Sequence, residues 1–272
     1  MHLLIISILP AVVLMIVIYK CDRVEPEPIR LVLAMMGFGM LTLIPSVICE
    51  LVGGNILYMF WDTWQMPYIV LENFFVVGLA EEFWKWLVVK LFIWKNKEFN
   101  YRFDAIVYCV ASSLGFALLE NVLYVFQFGF ATGISRALLS VPGHCTFAIF
   151  MGFFLGDAKL HEVRKNKEKT RMYKVLSLLV PILLHGFYDF CLSMGSWILI
   201  LIFLLFVLAC DTVAIIRIVR SERQDVPFYV LQEGDLWIQN PVWIQMAAAS
   251  MDTQMPELTY DSQQPRQEGD QT

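Results

Sequence analysis

Seven apolar stretches, each about long enough to cross a bilayer, dominate this sequence. Hydrophobic residues make up 58% of the 272 residues and charged residues only 17%, whereas a soluble domain is near half apolar and a quarter charged. A crossing needs roughly 20 apolar residues. The sequence therefore predicts an all-α fold, a polytopic helical bundle of about seven transmembrane helices in the cell membrane. The predicted spans are residues 3–19, 29–52, 70–94, 103–127, 134–157, 173–192 and 196–218.

The basic residues predict an orientation for this bundle. Most of the 20 lysines and arginines fall in alternate loops, and the loops around 53–68, 128–133 and 193–195 contain none. Because cytoplasmic loops are enriched in Lys and Arg, we expect the N-terminus outside and the C-terminus in the cytoplasm. The first span lacks a basic leader and a small-residue cleavage site, so we interpret it as a retained helix.

The chain divides by composition into two parts. Residues 1–220 are predicted to form the transmembrane domain and residues 221–272 a cytoplasmic tail. Within the tail, residues 226–247 mix aromatic residues with Gly and Pro, which favours an amphipathic segment on the inner membrane surface. The last twenty or so residues are polar and poor in large apolar side chains, which predicts disorder.

Two adjacent glutamates, Glu81 and Glu82, interrupt the apolar span 70–94, and Lys85 follows one turn later. Each charge near a bilayer centre costs about 3 kcal/mol on insertion scales. Residues three and four apart lie on one helix face, so Lys85 can pair with either glutamate. Such a cluster indicates chemistry or transport.

Three other predicted spans carry polar residues at a similar depth. Glu120, His144 and His185 all fall in the outer half of the bilayer if the predicted orientation holds. Asp189 lies four residues after His185 and can therefore orient its imidazole. Gly186, between them, predicts close approach of a neighbouring helix.

Five further polar residues are predicted to lie at span ends, where they need no chemical role. Solvent access makes a charge inexpensive at such positions. Glu50, Glu72 and Asn73 are predicted to lie at the outer boundary, and Asp104 and Asp157 are predicted to be solvated at the inner boundary.

The polar residues of successive spans form a recognisable series of motifs. Residues 81–85 read E-E-x-x-K, residues 116–121 read F-x-x-x-E-N, His144 lies in the next span, and residues 185–189 read H-x-x-x-D. This series resembles the PrsW family of glutamic-type intramembrane proteases. That family is distantly related to CAAX-prenyl proteases and bacteriocin-processing enzymes, which carry E-E-x-x-x-R instead. The resemblance covers about residues 72–190.

The resemblance implies hydrolysis of a peptide bond in membrane proteins near the extracytoplasmic side. Bacterial members are known as site-one proteases that cut an anti-sigma factor. The expected partners are therefore the lipid bilayer and a membrane-protein substrate, such as a single-span anti-sigma factor, with no nucleic acid.

The residues themselves favour a water-activating carboxylate. The serines within the spans lack a G-x-S-x-G context, so a glutamate base with histidine partners is the simplest catalytic hypothesis. Either glutamate of the pair could be the base. The hypothesis makes Glu81, Glu82, His144 and His185 catalytic, and makes Lys85, Glu120, Asn121 and Asp189 supporting or substrate-binding.

Three alternatives stay open from the sequence: a metal-dependent protease, an ion-coupled transporter and a non-catalytic membrane scaffold. The main hypothesis needs no cofactor, but a Zn²⁺ ion held by Glu82, His144 and His185 would also activate water, although no H-E-x-x-H motif is present. A proton- or ion-coupled transporter would use similar residues as a relay. Against transport, the ionisable residues cluster on one side of the midplane.

Overall fold

The computed structural model describes residues 2–223, 225, 227 and 228, and these are almost entirely helical. Two segments, π1 (Glu72–Gly78) and π2 (Arg136–Ser140), are π-helical. The α-helices are α1 (His2–Cys21), α2 (Ile29–Tyr58), α3 (Met66–Leu71), α4 (Leu79–Phe92), α5 (Asp104–Phe128), α6 (Phe130–Ser135), α7 (Val141–Val163), α8 (Lys167–Ser193) and α9 (Trp197–Arg223).

The helices confirm a polytopic membrane bundle. Among the described residues, six helical segments are long and apolar enough to cross a membrane: α1, α2, α5, α8, α9 and the run from Phe130 to Val163. The predicted span 70–94 corresponds to the helical run formed by α3, π1 and α4. This run falls outside the six because it carries the charged cluster. The count of seven therefore depends on including it, and the orientation stays a prediction.

Helix α5 lies at the centre and packs against α1, α2 and α7. Small residues allow its backbone to approach α2 closely. A Cβ at Gly115 would lie 2.0 Å from the carbonyl oxygen of Met36, and one at Gly39 would lie 1.9 Å from that of Ser112. Only glycine fits at these two positions, so the pair sets the distance between α2 and α5. Such small-residue contacts are the usual means of packing helices in a membrane.

Helix α8 approaches π1 just as closely beside His185. A Cβ at Gly186 would lie 2.5 Å from Cδ1 of Phe74, and one at Gly78 would lie 3.2 Å from the carbonyl oxygen of Ile182. The predicted role of Gly186 is therefore confirmed. The contact brings the start of α4 against the middle of α8.

Two of the span ends are not solvated as the sequence suggested. Asp104 is fully buried, and its Oδ2 accepts backbone N–H bonds from Asn100 (2.9 Å) and Tyr101 (2.6 Å). Asp157 is 8% exposed and pairs with Arg102 at 2.5 Å. Both predictions of a solvated end were wrong because local donors and neighbouring helices replace the water.

Asn73 is also buried rather than exposed at a boundary. Its Nδ2 donates to the carbonyl oxygen of Ile69 (2.7 Å), and its Oδ1 accepts from Ser193 (3.1 Å). The bond to Ser193 ties π1 to the end of α8.

Little of the predicted tail falls within the described residues. Helix α9 continues to Arg223, and the Phe228 N–H donates to the Asn100 carbonyl oxygen at 2.8 Å. The predictions of an amphipathic segment in 226–247 and of disorder near the C-terminus otherwise lie outside the described residues.

Candidate active site

Helix α4 places Glu81, Glu82 and Lys85 on one buried face. The Lys85 Nζ lies 2.9 Å from Glu81 Oε2 and 2.9 Å from Glu82 Oε1. Lys85 and Glu82 are fully buried, and Glu81 is 5% exposed. The lysine therefore pairs with both carboxylates at once, where the sequence predicted that it could pair with either.

His144 of α7 links this pair to α5. Its Nδ1 lies 3.1 Å from Lys85 Nζ, and its Nε2 lies 3.1 Å from Glu120 Oε2. An ammonium only donates, so Nδ1 accepts from Lys85. The remaining Nε2–H then donates to Glu120. These contacts assign a neutral imidazole with its proton on Nε2.

His185 of α8 lies between carboxylates. Its Nδ1 is 2.9 Å from Glu82 Oε1, and its Nε2 is 3.3 Å from Asp189 Oδ2 and 3.9 Å from Glu81 Oε2. Because both ring nitrogens face carboxylates, which only accept, an imidazolium with two N–H donors satisfies the site. The ring also stacks on Phe147, with 5.2 Å between centroids.

Arg136 of π2 belongs to the cluster, and the sequence interpretation missed it. Its Nη2 contacts Glu120 Oε2 at 2.6 Å, and its Nε donates to Asn121 Oδ1 at 3.0 Å. The Asn121 Nδ2 donates in turn to the Ser7 carbonyl oxygen at 2.8 Å. Both ends of the buried amide are thus used internally, and Asn121 links Arg136 to α1.

A signal for Arg136 was present in the sequence. It is a basic residue beside a loop that otherwise contains none, on the side predicted to be poor in positive charge. A charge that breaks the sidedness pattern is a candidate partner for an intramembrane acid, here Glu120.

Together these contacts join every predicted site residue into one continuous network. The network draws on residues of α4, α5, π2, α7 and α8. The ring of Phe116 packs against it, with the ring centroid 4.0 Å from Lys85 Nζ. Electrostatic interactions strengthen in such a desolvated setting. The arrangement resembles a proton-transfer centre more than an isolated ion pair.

A comparison with known protein families identifies the family of this chain. Residues 27–213 match the model of the family described as PrsW family intramembrane metalloprotease. The chain belongs to the PrsW family. It is 35% identical over 220 residues to Protease PrsW of Oceanobacillus iheyensis, covering 81% of this chain and 96% of that protein. It is 38% identical over 186 residues to Protease PrsW of Geobacillus kaustophilus, covering 68% of this chain and 77% of that protein.

Protease PrsW of Bacillus subtilis is 33% identical over 200 residues, covering 71% of this chain and 84% of that protein. No solved structure matches the chain. The family and the apolar helices together identify this PrsW-family chain as an intramembrane protease and a multi-pass protein of the cell membrane.

The PrsW family description implies a metal, and the donor set fits one. Glu81, Glu82, His144 and His185 are all buried and can each offer one ligand atom within 4.8 Å of the others. Glu82 Oε2 is buried and has no donor. Carboxylate and imidazole are ordinary Zn²⁺ ligands. Lys85 Nζ, however, already contacts three of the four residues and would repel a cation placed among them.

Glu50 of α2, which the sequence predicts at the outer boundary, is a further carboxylate near this network. Its Oε1 is buried without a donor, and it interacts electrostatically with Glu81, Glu120 and His185. Helix α2 extends to Tyr58, beyond the predicted end of the span at residue 52. Glu50 therefore lies deeper within its helix than the sequence suggested.

Proposed function

We propose that this PrsW-family protease hydrolyses a peptide bond of a membrane-protein substrate near the extracytoplasmic side, with water activated by its paired glutamates. The observation that carries the proposal is the state of Glu82. Its Oε1 is held by Lys85 and His185, both at 2.9 Å, while its Oε2 is buried without a donor. An unsatisfied buried acceptor in a polar site calls for a water, an ion or a catalytic role.

Glu82 is the proposed general base. A water bound at Oε2 would give its proton to that oxygen as the water oxygen attacks the substrate carbonyl. Such general-base assistance contributes about 10²- to 10⁴-fold in rate. Glu81, the more exposed glutamate of the pair, would line the approach of the substrate.

Lys85 balances the charge of both glutamates in a site without bulk water. Two adjacent carboxylates in low dielectric would otherwise not both lose their protons. With one ammonium shared between Glu81 and Glu82, the base remains ready to accept a proton. The third Lys85 contact, to His144, fixes the direction of the ammonium.

His185 is the proposed proton donor. Attack of water places negative charge on the carbonyl oxygen, which needs a donor, and the leaving amine needs a proton. An imidazolium between Glu82 and Asp189 supplies both. The proton that Glu82 takes from water would return to His185 across their 2.9 Å contact and close the cycle, while Asp189 holds the imidazolium in place.

His144, Glu120 and Arg136 form the supporting arm. The Nε2–H of His144 points to Glu120, whose charge is balanced by Arg136 at 2.6 Å. This arm holds His144 in one tautomer, so that its Nδ1 continues to accept from Lys85. Arg136 thereby acts through two other residues on the position of Lys85.

A metal-assisted version of the same hydrolysis is the second candidate, favoured by the four convergent donors and by the unpartnered Glu82 oxygen. The ligands would be Glu81, Glu82, His144 and His185. A bound Zn²⁺ would lower the pKa of a coordinated water and polarise the substrate carbonyl. Lys85 would then have to withdraw from three of its contacts, whereas Asp189 would still orient His185.

The proposed substrate is a single-span membrane protein, for which an anti-sigma factor is the example drawn from the family resemblance. The predicted orientation puts the glutamate pair in the outer half of the bilayer. Cleavage would therefore release a product on the extracytoplasmic side and leave a shortened membrane stub.

Co-expression tests this proposal. Single-span candidates carrying a different epitope tag on each end are expressed with the wild-type chain, Glu82→Gln or Glu72→Gln. Glu72 lies on the same helical run, but it accepts a hydrogen bond from the Tyr68 hydroxyl (2.9 Å) outside the cluster. It is therefore a matched control. Cleavage by wild type and Glu72→Gln but not by Glu82→Gln is expected. Equal cleavage by all three would refute the assignment of Glu82.

A further inference from the structure

Three carboxylates converge outside the catalytic network, where the α1–α2 loop meets the start of α5. Asp22, Glu27 and Asp104, here called the acidic triad, are 4%, 3% and 0% exposed. Each can offer one oxygen within 4.8 Å of the other two. The sequence interpretation assigned them no chemistry.

Each member of the triad carries an oxygen that has no donor. These are Asp22 Oδ2, Glu27 Oε1 and Asp104 Oδ1, all buried. The second oxygens of Glu27 and Asp104 are well satisfied: Tyr108 donates to Glu27 Oε2, and two backbone N–H groups donate to Asp104 Oδ2. One oxygen of Glu27 and one of Asp104 are therefore held in place, and these two side chains also contact each other. Each of the three carboxylates keeps one buried oxygen without a donor.

No side-chain cation balances this charge within residues 2–223. Arg23 pairs with Glu222 and Arg102 pairs with Asp157, and no other Lys or Arg there forms an ion pair with the triad. Buried carboxylates need a partner of some kind.

We propose that the acidic triad binds a hard divalent cation, Mg²⁺ or Ca²⁺, which ties the α1–α2 loop to the N-terminus of α5. Both ions prefer carboxylate oxygens, and the triad offers no nitrogen or sulfur ligand. Helix α5 also carries Glu120 and Asn121. The cation would therefore anchor the helix that supports one arm of the catalytic network.

Thermal unfolding of the purified full-length protein in detergent tests the proposal. Chelator-treated protein is titrated with Mg²⁺ or Ca²⁺ while tryptophan fluorescence reports the Tm. We expect a saturable rise in Tm for wild type and for Glu25→Gln, a matched control because Glu25 is an exposed acid of the same loop. For Glu27→Gln and Asp22→Asn the half-saturating concentration should rise by more than the roughly 10- to 100-fold that loss of a supporting residue costs.

The same variants make a second prediction in chelator. Removing one buried, uncompensated charge should raise their Tm above that of chelated wild type, so the order of stability reverses when the cation is added. A wild-type Tm that does not respond to either cation would overturn the proposal and leave shared protons to neutralise the triad.

Terbium luminescence gives a reading that does not depend on the variants' stability. Tb³⁺ substitutes for Ca²⁺, and Tyr108, bonded to Glu27, is placed to sensitise it. We expect emission that Ca²⁺ or Mg²⁺ displaces, that persists in Glu82→Gln and that is lost in Glu27→Gln. Emission lost in Glu82→Gln but kept in Glu27→Gln would assign the ion to the catalytic cluster and contradict the proposal.

Discussion

Replacement of Lys85 by methionine is the sharpest perturbation of the proposed catalytic network. Lys85 is fully buried, and its ammonium contacts Glu81 and Glu82 at 2.9 Å and His144 at 3.1 Å. Methionine keeps much of the length and volume of the side chain. The substitution therefore removes the charge and three donated bonds and creates little cavity.

The magnitude follows from these contacts. Breaking a buried ion pair by removing one partner costs about 3–5 kcal/mol, because the other charge is left uncompensated. Here two carboxylates lose their shared partner. One of them can take up a proton, which limits the loss of stability to the lower part of that range but inactivates the base. Cleavage should then fall by about 10²-fold or more.

The assay compares Lys85→Met with wild type and with Lys90→Met, all purified in the same detergent. Lys90 lies on the same helix and contacts the ring of Trp94 at 3.1 Å with no acidic partner among the described residues, so its loss should cost only about 0.5–2 kcal/mol. We expect a large drop in Tm and in cleavage for Lys85→Met alone. If Lys85→Met unfolds and cleaves like wild type, the proposed role of the lysine is wrong. Zinc-stimulated activity in that variant would favour the metal-assisted version.

Three further predictions concern the supporting arm, the packing and the metal. Arg136→Met should slow cleavage while leaving expression intact, because Glu120 keeps only His144 as partner; an unchanged rate would remove Arg136 from the network. Gly115→Ala should lower the Tm by an amount matching about 1–3 kcal/mol of overpacking, since its Cβ would meet Met36 at 2.0 Å, whereas Gly37→Ala, with nothing within 4 Å, should not. Chelation of Zn²⁺ in buffer that keeps Mg²⁺ and Ca²⁺ in excess should leave the cleavage rate unchanged, and a loss that Zn²⁺ alone restores would establish the metal-assisted version.

The site residues that the sequence identified share one property: their signal is local. The spacing of Glu81, Glu82 and Lys85, and that of His185 and Asp189, follows from 3.6 residues per turn. A charged residue inside an apolar run can be recognised from the sequence even when the exact end of the helix is unknown. Gly186 was identified in the same way, from its position between two polar residues of one helix.

The residues that escaped depend on tertiary geometry or on irregular helix. Arg136 contacts Glu120 from π2, and no pattern in the sequence predicts a π-helical turn at this position. Glu50 is predicted at the outer boundary because hydropathy sets the predicted span ends. Hydropathy does not show how far a helix continues beyond the apolar stretch. Asp104 seemed solvated because its partners, the N–H groups of Asn100 and Tyr101, are backbone groups invisible to composition.

The central claim is that Glu82 activates the attacking water, and single-turnover cleavage of a co-reconstituted single-span substrate in liposomes tests it most directly. Glu82→Gln keeps the shape of the side chain and leaves Lys85 paired with Glu81, so the variant should stay folded. The account predicts a rate about 10²- to 10⁴-fold below that of wild type, with Glu72→Gln unchanged. A folded Glu82→Gln protein that cleaves at the wild-type rate would contradict it.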